Sequence, residues 1–216
     1  MTDDRLRSAL RLLVVTDRRL ASPRSLTAVV GAALSGGARA VQLRNKGDSA
    51  RELLAAGADL RALTRAAGAL LFVNDRLDVA LALEADGVHL GPDDLPVAAA
   101  RAVAPPPFLI GRSADDAEVA RQAVVDGADY IGCGTVYSTS TKPDAGEVIG
   151  LAGLGRVARA VPVPVLAIGG ITIERAGEVA RTAAFGIAVV GAVMSAPDPA
   201  RAVRGFLAPF ATRGGV

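Results

Sequence analysis

The chain has 216 residues, 51% of them apolar, which suits one domain of ordinary size with a full core. Its 24 Lys and Arg against 22 Asp and Glu leave a formal net charge of +2, so no nucleic-acid or membrane partner is expected. A single cysteine, Cys133, excludes an internal disulfide; no apolar run approaches the roughly 18 residues of a membrane helix, and the charged first residues carry no apolar signal core, so a cytoplasmic protein is expected.

In chain order, one theme recurs. A short apolar run is followed by a polar turn, an Ala-rich stretch with helical spacing, and a Gly/Ala/Asp turn. The apolar runs fall at residues 12–15, 38–43, 70–73, 87–90, 108–110, 129–132, 165–168 and 186–190. They are near-continuous rather than alternating, as strands of a parallel sheet covered by helices must be. The intervening segments 25–34, 50–67 and 117–125 are rich in the helix formers Ala, Leu, Arg and Glu. Asp115 and Asp116 stand where one helix begins, and Thr172 stands where another does. No linker or change of composition divides the chain. Eight βα units with no second domain predict a single (β/α)8 TIM barrel over residues 1–216; an open doubly wound sheet is the runner-up.

In such a barrel the chemistry belongs at the C-terminal ends of the strands. The second predicted strand runs out through Gln42, Leu43, Arg44, Asn45 and Lys46. Gln42, Arg44 and Lys46 alternate and so share one side; a guanidinium and an ammonium there could clamp a diphosphate, or could serve a structural salt bridge. Lys46 and Lys142 are the only lysines. The third strand runs into Asn74 and Asp75, and the fourth into Gly91, Pro92, Asp93 and Asp94. Carboxylates at neighbouring strand ends can converge on Mg²⁺, or can cap helices. The fifth strand ends at Ser113, which alone says little. A long polar loop, 134–150, follows the sixth and contains Thr139, Ser140, Thr141 and Lys142; it reads as a binding loop or as a solvated one. Gly169 and Gly170 end the seventh strand, and Val190 and Gly191 end the eighth, where barrels often hold phosphate on backbone N–H groups. His89, the only histidine, reads as a satisfied structural group. Cys133 reads as a small buried residue.

Taken in order, Val15-Thr16-Asp17, Gln42-Leu43-Arg44-Asn45-Lys46, Asn74-Asp75-Arg76, His89-Leu90-Gly91, Thr139-Ser140-Thr141-Lys142 and Ala167-Ile168-Gly169-Gly170-Ile171 resemble the thiamine phosphate synthase family. The resemblance spans almost the whole chain. It implies Mg²⁺-dependent coupling of hydroxymethylpyrimidine diphosphate with a thiazole phosphate, two phosphorylated small molecules, to give thiamine phosphate and diphosphate. It implies Mg²⁺ on Asp75 and Asp94. It implies pyrimidine diphosphate on Gln42, Leu43, Arg44, Asn45, Lys46, Asn74, Ser113 and Lys142, with Arg44, Lys46, Ser113 and Lys142 assisting catalysis. It implies thiazole phosphate on Thr139, Ser140, Thr141, Gly170, Val190 and Gly191. The chain departs from the family pattern at Pro92, Ala114, Asp115, Thr135 and Gly191, the last lacking an expected hydroxyl. The related thiazole tautomerases share the barrel but would place a catalytic histidine near Thr135. A non-catalytic regulatory relative is the third reading. The oligomeric state, a homo-oligomer included, stays open.

Overall fold

The computed structural model describes residues 3–45, 47–139 and 147–211. Eight parallel strands, β1 (Leu12–Val15), β2 (Ala40–Leu43), β3 (Leu70–Asn74), β4 (Gly87–Leu90), β5 (Leu109–Ser113), β6 (Tyr130–Cys133), β7 (Val165–Ile168) and β8 (Gly186–Val189), close into a barrel. Each pairs with the next, and β8 pairs with β1. The open-sheet alternative is therefore set aside.

Around the barrel run α1 (Asp3–Ala9), α2 (Arg18–Ala21), α3 (Leu26–Ser35), α4 (Ala50–Ala66), α5 (Leu77–Ala82), α6 (Val97–Val103), α7 (Ala117–Val125), α8 (Gly150–Ala160), α9 (Ile173–Ala180), α10 (Gly191–Met194) and α11 (Pro199–Ala211). Their starts are set by side chains that take up orphan N–H groups. Ser49 and Glu52 form a reciprocal capping box on α4, Asp116 caps α7, and Thr172 caps α9. Of the two expected aspartates at α7, Asp116 is the one that caps. β2 begins two residues later than expected because the Ala38 N–H is spent on the Ala33 carbonyl, closing the end of α3. β5 runs on to Ser113 because its pairing with β6 continues to Ser113 opposite Gly132.

Successive strand residues face opposite sides, which produces two packing layers. Val14, Val41, Leu43, Leu71, Val73, Val88, Leu90 and Ile131 pack between sheet and helices. Leu13, Val15, Ala40, Leu70, Phe72, Leu109, Tyr130, Leu166 and Ala188 fill the barrel interior. At the N-terminal end of the strands, α1 adds Leu6 and Ala9 to the interior cluster, and Leu10, just after it, joins them.

The same end carries one joint twice. Asp86, just before β4, accepts the Leu71 N–H of β3 at 2.8 Å and the Arg61 guanidinium of α4 at 2.6 Å. Asp129, just before β6, accepts the Ile110 N–H of β5 at 2.7 Å and the Arg101 guanidinium of α6 at 2.5 Å. In each case one carboxylate ties a strand, the next strand's entry and the helix preceding the first of them together.

Candidate active site

The opposite end of the barrel gathers the polar residues. Gln42 points inward and is buried, whereas its neighbour Leu43 faces the helix layer and is fully buried there. A Leu43 contact to a ligand could come only from its main chain. The path of the chain beyond β2 is held by Thr16, itself fully buried, whose hydroxyl accepts the Arg44 N–H at 2.9 Å. Among the described residues Arg44 forms no ion pair. The structural salt bridge that could have explained this arginine is thus absent from that set, leaving a half-buried cation suited to an anionic ligand. Asn45 is used internally: its Oδ1 accepts the Arg18 N–H at 3.2 Å, and its Nδ2 donates to Asp48 at 3.0 Å. Lys46 lies outside the described residues, as do Ser140, Thr141 and Lys142.

Asn74 and His89 are direct partners in the β3–β4 register, so the segments that follow them leave the sheet side by side. Asp75 adopts a left-handed φ of 64°, and its N–H donates to the His89 carbonyl at 2.8 Å. The Asp94 Oδ2 accepts the Gly91 N–H at 2.6 Å, while Arg112 donates to the Gly91 carbonyl. Gly91 is thereby gripped on both sides, and the Asp94 carboxylate is fixed on its turn. Neither aspartate caps a helix, since Arg76 and Pro96 occupy the cap positions of α5 and α6. Both remain partly exposed. Two carboxylates on neighbouring strand ends would offer an oxygen-only donor set; no cluster of three or more His, Cys, Asp or Glu occurs among the described residues. Such a set fits Mg²⁺, which commonly takes one or two carboxylates and completes its shell with water and substrate oxygens.

Ser113 ends β5, and its Oγ lies 3.0 Å from His89 Nε2. The other ring nitrogen, Nδ1, lies 3.1 Å from the Tyr130 hydroxyl. Tyr130 is completely buried, meets Phe72 edge-on at 5.3 Å, and has its phenol pushed far above the usual value, chiefly by burial, with the Gln42 side chain offsetting part of that rise. Tyr130 and Arg112 are site-building residues that the sequence pattern leaves unmarked, and Thr16 and His89 stand in the resembling stretches without a ligand-directed role. Each is recognisable only once strand register brings it to its partner.

On the far side of the mouth, Gly169 and Gly170 have φ of 100° and 61°. Their carbonyls are taken by Tyr137 N–H at 3.1 Å and by Arg175 at 2.8 Å. The Arg175 guanidinium also lies 4.5 Å from the Tyr137 ring centre, and the Tyr137 hydroxyl donates to Glu178 at 2.8 Å. These contacts lay the loop that carries Thr139 directly over the β7 turn. Val190 packs its side chain against the barrel interior and precedes α10, whose first N–H groups begin at Gly191. Thr135 is buried, with its side chain against Gly169. Cys133 is fully buried, as expected.

No helix among the described residues is long and apolar enough to cross a membrane. The family model for thiamine monophosphate synthase matches residues 12–193. The thiamine-phosphate synthase of Roseiflexus castenholzii is 53% identical over 191 residues, covering 88% of this chain and 84% of that protein. That of Pyrococcus horikoshii is 50% identical over 196 residues, covering 91% and 92%. The solved thiamine phosphate pyrophosphorylase of Pyrococcus furiosus superposes with a TM-score of 0.86 at 47% identity, covering 94% of this chain and 96% of that one. The barrel, the polar strand ends and these matches together place the chain in the thiamine monophosphate synthase family.

Proposed function

We propose that this chain is a thiamine-phosphate synthase, a transferase that couples hydroxymethylpyrimidine diphosphate to a thiazole phosphate. What supports the reading is that residues suited to two separate anions stand at one end of one barrel. Arg44, Asn74, Asp75, Asp94 and Ser113 end strands β2 to β5 or begin the loops after them, and Gly170 and Gly191 follow β7 and β8. A coupling enzyme must hold two phosphorylated substrates at once, and a single set would not serve.

In this reading the C–O bond between the pyrimidine methylene and the diphosphate breaks first, and its electron pair leaves with the diphosphate. The thiazole nitrogen then donates its lone pair to the methylene carbon. Arg44 stabilises the charge that develops on the leaving group, and Asn74 and Ser113 hold the departing oxygens in place. Lys46 and Lys142 belong to the same proposal. Bound at Asp75 and Asp94, Mg²⁺ would supply further charge neutralisation on the diphosphate. The N–H groups of Gly170 and Gly191, with hydroxyls from Thr139, Ser140 and Thr141, would hold the thiazole phosphate so that its ring nitrogen faces the methylene. Enclosing both rings keeps water from capturing the cation.

The test is product formation by mass spectrometry, with each substrate and Mg²⁺ omitted in turn. Thiamine phosphate is expected only when all three are present. Isomerisation of the thiazole phosphate without coupling would instead make the chain a tautomerase, and binding without turnover would make it a regulatory relative. The buried Thr135 offers no imidazole where a tautomerase would need one.

A further inference from the structure

Inside the barrel mouth, four side chains from four strands line up: Gln42 of β2, Tyr130 of β6, His89 of β4 and Ser113 of β5. Space for them is left by two glycines. A Cβ on Gly111 would overlap the Tyr130 ring, and one on Gly132 would come within 2.9 Å of His89 Cε1. The imidazole is thus fitted from below and bonded at both nitrogens.

Proton bookkeeping orders this row. The oxygens of a diphosphate only accept hydrogen bonds, so a Ser113 hydroxyl that binds one must donate to it. Ser113 Oγ must then accept from His89, which requires the proton on Nε2. A neutral ring with Nε2–H has a bare Nδ1, and that nitrogen accepts from the Tyr130 hydroxyl. The phenol oxygen is left with accepting capacity only, on the side of the Gln42 side chain. Every link therefore donates in one direction, from the barrel centre out to the ligand.

We propose that His89 is a positioning residue that aims the Ser113 hydroxyl at the pyrimidine diphosphate, with Tyr130 selecting the imidazole nitrogen that carries the proton. The inference rests on the synthase reading. It adds to that reading a residue whose effect passes through Ser113 rather than through contact with the substrate.

The experiment compares two isosteric replacements. The amide of His89→Gln reaches the place of Nε2 and keeps a donor for Ser113, whereas the amide of His89→Asn reaches only the place of Nδ1 and faces Tyr130. Steady-state kinetics are measured for both, for Ser113→Ala, and for the double variant His89→Asn/Ser113→Ala, with folding checked by circular dichroism. His89→Asn should lower kcat by about tenfold or more, the order expected from one net hydrogen bond to a charged group, with the KM for thiazole phosphate unchanged. His89→Gln should recover most of that loss. The double variant should be no slower than Ser113→Ala alone, because both changes remove the same interaction. Equal losses in the Asn and Gln variants, or full additivity with Ser113→Ala, would overturn the proposal. Gly132→Ala offers a second route, displacing the ring without altering a polar atom: it should reproduce the His89→Asn profile, and a fully active Gly132→Ala would also count against the assignment. Absence of coupling by the unaltered protein would instead overturn the synthase reading, so the two failures are distinguishable.

Discussion

Replacing Gly170 by alanine tests whether the β7 turn and the loop above it build the thiazole-phosphate site. Gly170 sits at φ 61°, and a Cβ there would lie 2.5 Å from the Ser138 carbonyl oxygen and 2.6 Å from that of Tyr137. The left-handed conformation alone costs a non-glycine residue roughly 1–2 kcal/mol. Overlap with main-chain atoms adds about 1–3 kcal/mol, because a backbone carbonyl cannot swing aside as a flexible side chain can. The strain can be relieved only by lifting residues 137–138, and with them Thr139, off the turn. If about 2 kcal/mol of it falls on the site, kcat/KM for thiazole phosphate drops roughly 30-fold. The KM for pyrimidine diphosphate should barely move, since its residues lie on β2 to β5. Gly177→Ala is the control: Gly177 lies in α9 with open space around a Cβ, so alanine there should stabilise by about 0.5–1 kcal/mol and leave both KM values alone. Initial rates with one substrate varied at a time, together with thermal melts, read both effects. An equal rise of both KM values in Gly170→Ala, or no rise in either, would refute the two-site reasoning.

Three further outcomes are expected. Asp94→Asn should lower turnover on the order of a hundredfold, with the fold intact by circular dichroism, and excess chelator should abolish wild-type activity until Mg²⁺ is returned; full activity in chelator would sink the metal assignment. Arg44→Ala should cost about 3 kcal/mol of transition-state stabilisation, and because Arg44 has no ion pair among the described residues, its loss should leave the melting temperature nearly unchanged. Burial pushes the Cys133 thiol up to about 12, so at pH 8 the folded protein should resist iodoacetamide and become alkylated only on unfolding; rapid labelling of the native protein, followed by mass spectrometry, would contradict the burial.

The barrel was legible because parallel strands covered on both faces must be apolar throughout, and each such run stands out between Ala-rich helices. Strand limits shifted where a main-chain bond decided them, as when Ala38 closed α3 instead of opening β2. Strand-end positions were legible for the same geometric reason: place along a βα unit puts Asp75, Asp94 and Gly170 just beyond the ends of their strands. What stayed hidden depends on lateral register. His89 was read as a satisfied structural group, and it is satisfied, but its partners Ser113 and Tyr130 lie 24 and 41 residues away and meet it only through the β4–β5–β6 alignment. Leu43 and Asn45 share a stretch with Gln42 and Arg44, yet the strand's alternation turns Leu43 into the helix layer, and the β1 loop claims Asn45. Membership of a motif does not tell which of its side chains face the ligand.

The paired joints of Asp86 with Arg61 and Asp129 with Arg101 lie at the end of the barrel remote from this chemistry. There the chain solves one problem the same way twice, apart from the strand ends that carry the polar residues. A floor closed by repeated, self-contained fasteners does not need to be reinvented when a mouth loop is exchanged. Lineages of such barrels can therefore acquire new substrates by replacing one βα loop at a time, and a designer grafting a foreign loop onto this chain would begin at the mouth, leaving the four fastener residues untouched.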